Sequence, residues 1–365
     1  MKFTFIFLLL MPLGLLAQDT DWPSPEVAQM YNAARGDLMR GNIQQAIITY
    51  RNAIQLAPEK MILYRDLGQA YYLAGEYDET QKILEPIIKS GEADAQSFQI
   101  AGSAYVAQKE KKKAKNILQK GLERYPHSGL LFHELGRMYE MDEQPVYALE
   151  TWLDGIEADP AYHINYYEAA RMYMGTQKPV WAVIYAEMFL NIEQQTPRAN
   201  ETRDMLLGAY QRLYKMLGTG EIPKFKGGNK QKLAATAGNS FEEAVEHTYL
   251  KLSPVVSDGI TTENLIMLRT RFLMEWMNAY AAKYPISLFN RLDDMLRSGY
   301  FDVYNQWVFG KIDNPQQFDA WKKFHPDAIP KLEAWLGEHP YRPVAADFYN
   351  SKKVDGIFIK EKKAK

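Results

Sequence analysis

His133 and Glu134 stand side by side mid-chain, the first half of a helical zinc-hydrolase motif whose second His must follow three residues after the Glu; Arg137 occupies that place. No G-x-S-x-G occurs. With no cysteine there is neither a thiol nucleophile nor a thiolate metal site. His325, in Phe324-His325-Pro326-Asp327, and His339, in Glu338-His339-Pro340-Tyr341, fall at helix ends, where a histidine caps carbonyl groups. Asp293 and Asp294 are adjacent, and neighbours on a helix diverge by about 100°, too far apart to share one proton or one metal ion. No G-x4-G-K loop cradles phosphate. The expectation is therefore no catalytic residue, no metal and no cofactor, and a protein that works by binding.

What these side chains stand on is a repeat. Phe132, Leu135, Gly136, Tyr139, Ala148, Trp152, Gly155 and Pro160 occupy offsets 4, 7, 8, 11, 20, 24, 27 and 32 of a 34-residue unit that starts at Gly129. The unit starting at Ala95 places Phe98, Ala101, Gly102, Tyr105, Ala114, Leu118, Gly121 and Pro126 at the same offsets, and the unit starting at Met61 places Tyr64, Leu67, Gly68, Tyr71, Thr80, Leu84 and Ile87 there. Units starting at Val27 and His163 keep the register, so five run in succession over residues 27–196. Each reads as two antiparallel helices, A and B. Small residues at offsets 8 and 20 let the helices approach, bulky ones fill the space between, and Pro at 32 stops helix B.

This pattern closely resembles the tetratricopeptide repeat. The resemblance implies an all-α solenoid whose stacked A helices line a concave face. It places offset 5 on that face as Tyr31, Arg65, Gln99, His133 and Tyr167, offset 9 as Arg35, Gln69, Ser103, Arg137 and Arg171, and offset 12 as Tyr72, Glu140 and Met174. The carboxylate-clamp subtype of the family carries Lys at 5 and Asn at 9. Neither occurs here, so a chaperone C-terminus is not the implied ligand. Arg and Tyr are enriched at binding hot spots, and the face is expected to grip a protein partner, with Arg137 and Arg171 able to hold a carboxylate or stack on an aromatic ring.

Lys2 followed by the apolar run Phe3 to Leu16 and then Ala17 reads as a cleaved secretory signal peptide over residues 1–17. Gln18 stands where a lipobox would need Cys, so no lipid anchor is expected, and no other segment is apolar enough to span a bilayer. The Leu-Ala-Gln ending resembles signal peptides of Bacteroidota, implying a periplasmic or secreted protein. A net charge of −2 offers no global attraction to nucleic acid or anionic membrane.

Residues 18–26 form a polar lead-in and 197–217 a helix capping the array. Residues 218–238, rich in Gly and Lys, read as a linker. Residues 239–350 read as a second, smaller all-α domain, with helices opening at Ser240 and at Thr261 or Thr262, and others ending at Gly299, Gly310 and Gly337. Residues 351–365 form a Lys-rich tail. The region faintly resembles the C-terminal parts of uncharacterised exported repeat proteins of Bacteroidota. The expected function is a scaffold or assembly factor for a cell-envelope complex. The alternatives are a hydrolase or glycan-active module in residues 239–350, which would need a cleft with converging carboxylates, and peptide or polysaccharide binding in the groove.

Overall fold

The computed structural model describes residues 22–219, 240–350 and 357–358. The expected signal peptide lies outside them, as do most of the expected linker and tail. Helices pair as hairpins: α1 (Pro25–Met39) with α2 (Ile43–Leu56), α3 (Met61–Ala74) with α4 (Tyr77–Ser90), α5 (Ala95–Ala107) with α6 (Lys111–Arg124), α7 (Gly129–Met141) with α8 (Pro145–Ala158), and α9 (Ile164–Met174) with α10 (Pro179–Ile192). Then comes α11 (Pro197–Thr219). The fold is all-α, in consecutive helical hairpins of the expected register.

Local chemistry sets the ends. Ser24, Asp94 and Ser128 cap α1, α5 and α7, accepting from the backbone N–H of Val27, Ser97 and Leu131 at 3.3, 2.8 and 3.4 Å. Pro58, Pro126 and Pro160 follow two residues after α2, α6 and α8 end. α4 lacks that proline and stops instead at Gly91, whose φ of 85° is open to glycine. Gly136 is required by closeness: a Cβ there would sit 2.3 Å from Trp152 Nε1. Its absence lets the indole reach α7 and donate to the His133 carbonyl at 3.2 Å.

The chain divides into two compact units, Met1–Ile117 and Leu118–Lys365, at a point inside α6. The first has a core of Val27, Tyr31, Ile47, Tyr50, Leu63, Leu67 and Tyr71 among others. In the second, one core runs from Leu149 through Trp181, Tyr210, Phe272 and Phe309 to Ile357. The C-terminal helices are α12 (Phe241–Lys251), α13 (Thr262–Ala279), α14 (Ser287–Arg297), α15 (Phe301–Asn305), α16 (Pro315–Phe324) and α17 (Ala328–Glu338). All of them but α16 contribute to that core, together with α8 to α11. Residues 357–358 lie against the last hairpin: the Ile357 carbonyl accepts from the Gln177 N–H at 2.8 Å, and Thr176 and Phe358 form an isolated antiparallel bridge.

At the centre of this shared core is a polar knot. Arg269 on α13 meets Glu187 on α10 at 2.7 Å, with the two side chains 3% and 4% exposed. Tyr304 donates to the same carboxylate at 2.7 Å, and Asn305 accepts from Arg269 at 2.6 Å. A buried pair of this kind is kept only when surrounding hydrogen bonds complete it.

Some expected ends differ. Gly310 does not stop a helix: α15 continues through a π-helical turn, Gln306–Gly310, into Lys311–Asp313. The glycine is there for packing, since a Cβ would meet Phe318 at 2.6 Å. Gly337 is also helical, and α17 ends one residue later at Glu338. Between α5 and α6, Lys109 makes the turn at φ 64°, and α6 begins at Lys111. Thr261, not Thr262, caps α13, because the Thr262 N–H and hydroxyl donate to Asp313. His325 and His339 do cap, each Nδ1 lying 2.9 Å from the carbonyl four residues back.

Candidate partner-binding face

In the second unit, α7 and α9 are successive A helices, and the start of α11 continues the series. Offset 5 of α7 is His133, whose side chain is 12% exposed and lies between two carboxylates, Glu134 and Glu168, each at 3.6 Å. Burial works against its charge, but the two glutamates more than offset it and raise its pKa. Burial likewise opposes ionisation of Glu168; His133 and Arg171 overcome it and hold the carboxyl below its usual range.

Arg171 bridges three residues. Its Nη2 reaches both Glu140 oxygens at 2.8 and 2.9 Å, its Nε donates to Glu168 at 2.9 Å, and its guanidinium lies 5.7 Å from the centre of the Trp152 ring. It is thus not a free guanidinium pointing into a groove: the carboxylate it grips belongs to the chain. It also rests on an inter-helix core residue, contrary to the expectation for a purely solvent-facing side chain. Arg137 comes closer to that expectation, 49% exposed with one bond to Glu134 at 3.1 Å. Tyr167 donates to Glu201 on α11 at 2.9 Å beneath the Arg198 guanidinium, and burial, followed by Glu201, pushes its hydroxyl up to about 12. Met174 packs toward α11, its methyl 3.4 Å from where a Gly208 Cβ would be.

Glu134, Glu168 and Glu201, which organise this face, were not among the expected site residues. A signal existed: Glu134 and Glu168 both occupy offset 6 of adjacent units. Offset 6 was not assigned to the face, yet a glutamate there is long enough to curl round and meet the arginine three residues on, as Glu134–Arg137 and Glu168–Arg171 do.

In the first unit, Tyr31 departs from its expected role. It is 7% exposed, its ring 4.7 Å from Trp22 and 6.3 Å from Tyr50, and burial pushes its hydroxyl up to about 12. It is core, because Trp22 of the lead-in folds over it. Arg35 is half-buried and covers the Tyr31 ring at 5.6 Å. Arg65 is committed to Asp66 and Asp94, at 2.7 and 2.8 Å. Gln99 is buried and donates to Ser103 at 3.0 Å, so these two partner each other. Gln69 and Tyr72 are half-buried, with Tyr72 5.8 Å from the Tyr77 ring.

Among the described residues no three His, Asp or Glu are placed to hold a metal ion, and no helix is long and apolar enough to cross a membrane. Arg137, Glu140 and Arg171 expose polar ends, Arg171 and Glu140 paired across adjacent A helices and Arg137 paired with Glu134 on its own helix.

The tetratricopeptide repeat family model matches residues 96–128. No curated protein matches the chain. Among solved structures, the chain is similar to pilF of Pseudomonas aeruginosa, with 17% identity over 60% of this chain and 95% of that one, TM-score 0.44. It is similar to a tetratricopeptide repeat protein from Parabacteroides merdae, with 12% identity over 73% and 97%, TM-score 0.38. It is also similar to YrrB, described as a TPR protein with an unusual peptide-binding site, with 19% identity over 48% and 90%, TM-score 0.34.

Proposed function

We propose that this chain, whose array is built of tetratricopeptide repeats, is an exported, non-catalytic scaffold or assembly factor that binds a protein partner of the bacterial cell envelope. The observation that carries the reading is the second-unit face. Arg137 projects from it 49% exposed and is held by Glu134 on its own helix, while Arg171 and Glu140, at 37% and 38%, pair with each other across adjacent A helices, so these side chains are restricted before any partner arrives. Restricted polar side chains lose less entropy on binding, and Arg and Tyr dominate binding hot spots. The signal-like residues 1–17 support export, and with it a periplasmic or secreted location.

The test is affinity capture by mature protein, residues 18–365, from envelope extract of the source bacterium, identified by mass spectrometry. Arg137→Ala should cut capture of the main partner by an amount equivalent to about 2 kcal/mol, a hot-spot loss. The pair Lys112→Ala and Lys113→Ala, from the exposed start of α6, should capture normally. Equal capture by both would show that binding occurs elsewhere.

A further inference from the structure

A cavity of about 20 Å³ lies in the second-unit core, walled by Val183, Phe272, Leu288 and Leu292 and reached by Glu187, Tyr210, Tyr249 and Arg269. Its polar groups are not all satisfied by one another: Glu187 Oε2 and Arg269 Nη2 have no hydrogen-bond partner, and the two tyrosines have one hydroxyl proton more than their contact uses. Glu187 Oε1 accepts from Tyr304 and lies 2.7 Å from Arg269 Nη2 as an ion pair, while Oε2, on a residue 3% exposed, has no donor. Tyr210 and Tyr249 bring two hydroxyl protons to a single contact, Oη to Oη at 3.2 Å. That contact uses one proton, and the other needs an acceptor.

We infer that the cavity is a binding site for one water molecule, which accepts from the free tyrosine hydroxyl and donates to Glu187 Oε2. A water fits: it needs at least about 10–15 Å³ and two or more polar partners. The alternative, a dry cavity, leaves a carboxylate oxygen and a hydroxyl proton unpaired on residues that line the same buried space, and unpaired buried groups of this kind are rare. With the water in place, the Arg269–Glu187 ion pair, the water, Tyr249 and Tyr210 form one chain of polar contacts across α13, α10, α12 and α11. The site therefore pins the C-terminal helices to the last repeat through a polar node with a fixed geometry, which apolar packing alone does not give.

A high-resolution crystal structure of the full chain, with a second crystal pressurised with xenon, tests this directly. The expected result is one density peak within hydrogen-bond distance of Glu187 Oε2 and of a Tyr210 or Tyr249 oxygen, and no xenon. Xenon in the cavity and no such peak would overturn it, since dry apolar cavities take up xenon. In solution, Val183→Ile adds a methyl at the wall. If it displaces the water it lowers the melting temperature by about 2–4 °C, and if the cavity is dry it raises it.

Discussion

Arg171 Nη2 donates to both carboxylate oxygens of Glu140, at 2.8 and 2.9 Å, tying the A helix of one repeat to the A helix of the preceding one. The proposed recognition face thus doubles as an inter-repeat clasp.

That double role separates two arginines at the same repeat offset. Arg137→Ala should leave the melting temperature within about 1 °C, because the side chain is half exposed and makes one helix-surface pair, worth at most about 0.5 kcal/mol. Arg171→Ala should cost about 1 to 2 kcal/mol, losing pairs to Glu140 and Glu168 and its cover on Trp152. Differential scanning fluorimetry on the two variants decides it. Equal melting temperatures would mean that the clasp carries no stability.

The buried pair Arg269 and Glu187 should behave oppositely when broken and when replaced. Glu187→Leu or Arg269→Met alone leaves an uncompensated buried charge and should cost about 3–5 kcal/mol. The double substitution should cost clearly less than the sum. Urea unfolding of the three variants gives the coupling, and additivity would count against the knot.

Lys178, at the start of α10, lies between Glu242 and Glu246 of α12, 3.6 Å from the latter. Burial, against the pull of Lys178 and with a push from Glu242, raises Glu246 from 4.5 to about 7. A carboxyl that is a weaker acid folded than unfolded binds more protons in the folded state. Its contribution is therefore fully present below about pH 4.5 and is lost as pH rises through about 7. The shift corresponds to roughly 3 kcal/mol. Glu246→Gln, which is neutral throughout, should match wild type at pH 5 and exceed it in stability at pH 8. His133 acts in the same direction, since its raised pKa makes its charge stabilising at low pH and lost as pH rises through the folded value; the Glu246→Gln comparison isolates the carboxyl. Parallel pH curves for the two proteins would refute the assignment.

Two helical glycines should respond with opposite sign to alanine. At Gly136 the new methyl collides with Trp152 at 2.3 Å, and about 2 kcal/mol or more should be lost. At Gly337 no atom lies within 4 Å and the backbone is helical, so alanine should stabilise by about 0.5–1 kcal/mol. Thermal melts of both single variants read the signs.

The 34-residue period determined the hairpins by itself, because small residues at offset 8, bulky ones at 4, 7, 11 and 24 and proline at 32 are local demands of one helix on its neighbour. Gly136 under Trp152 and Pro126 after α6 were legible in this way. The capping roles of Ser240, His325 and His339 were legible too, since a cap acts within one turn. What the sequence could not carry was pairing at long range. Nothing local says that Arg171 finds Glu140 rather than a partner's carboxylate, that Trp22 folds over Tyr31, or that Gly310 admits Phe318 instead of ending a helix. Nor does anything local match Arg269 to Glu187. Tertiary structure decided these because a buried charge or ring takes whichever partner the packed helices bring within reach, and that partner has no fixed spacing in the chain.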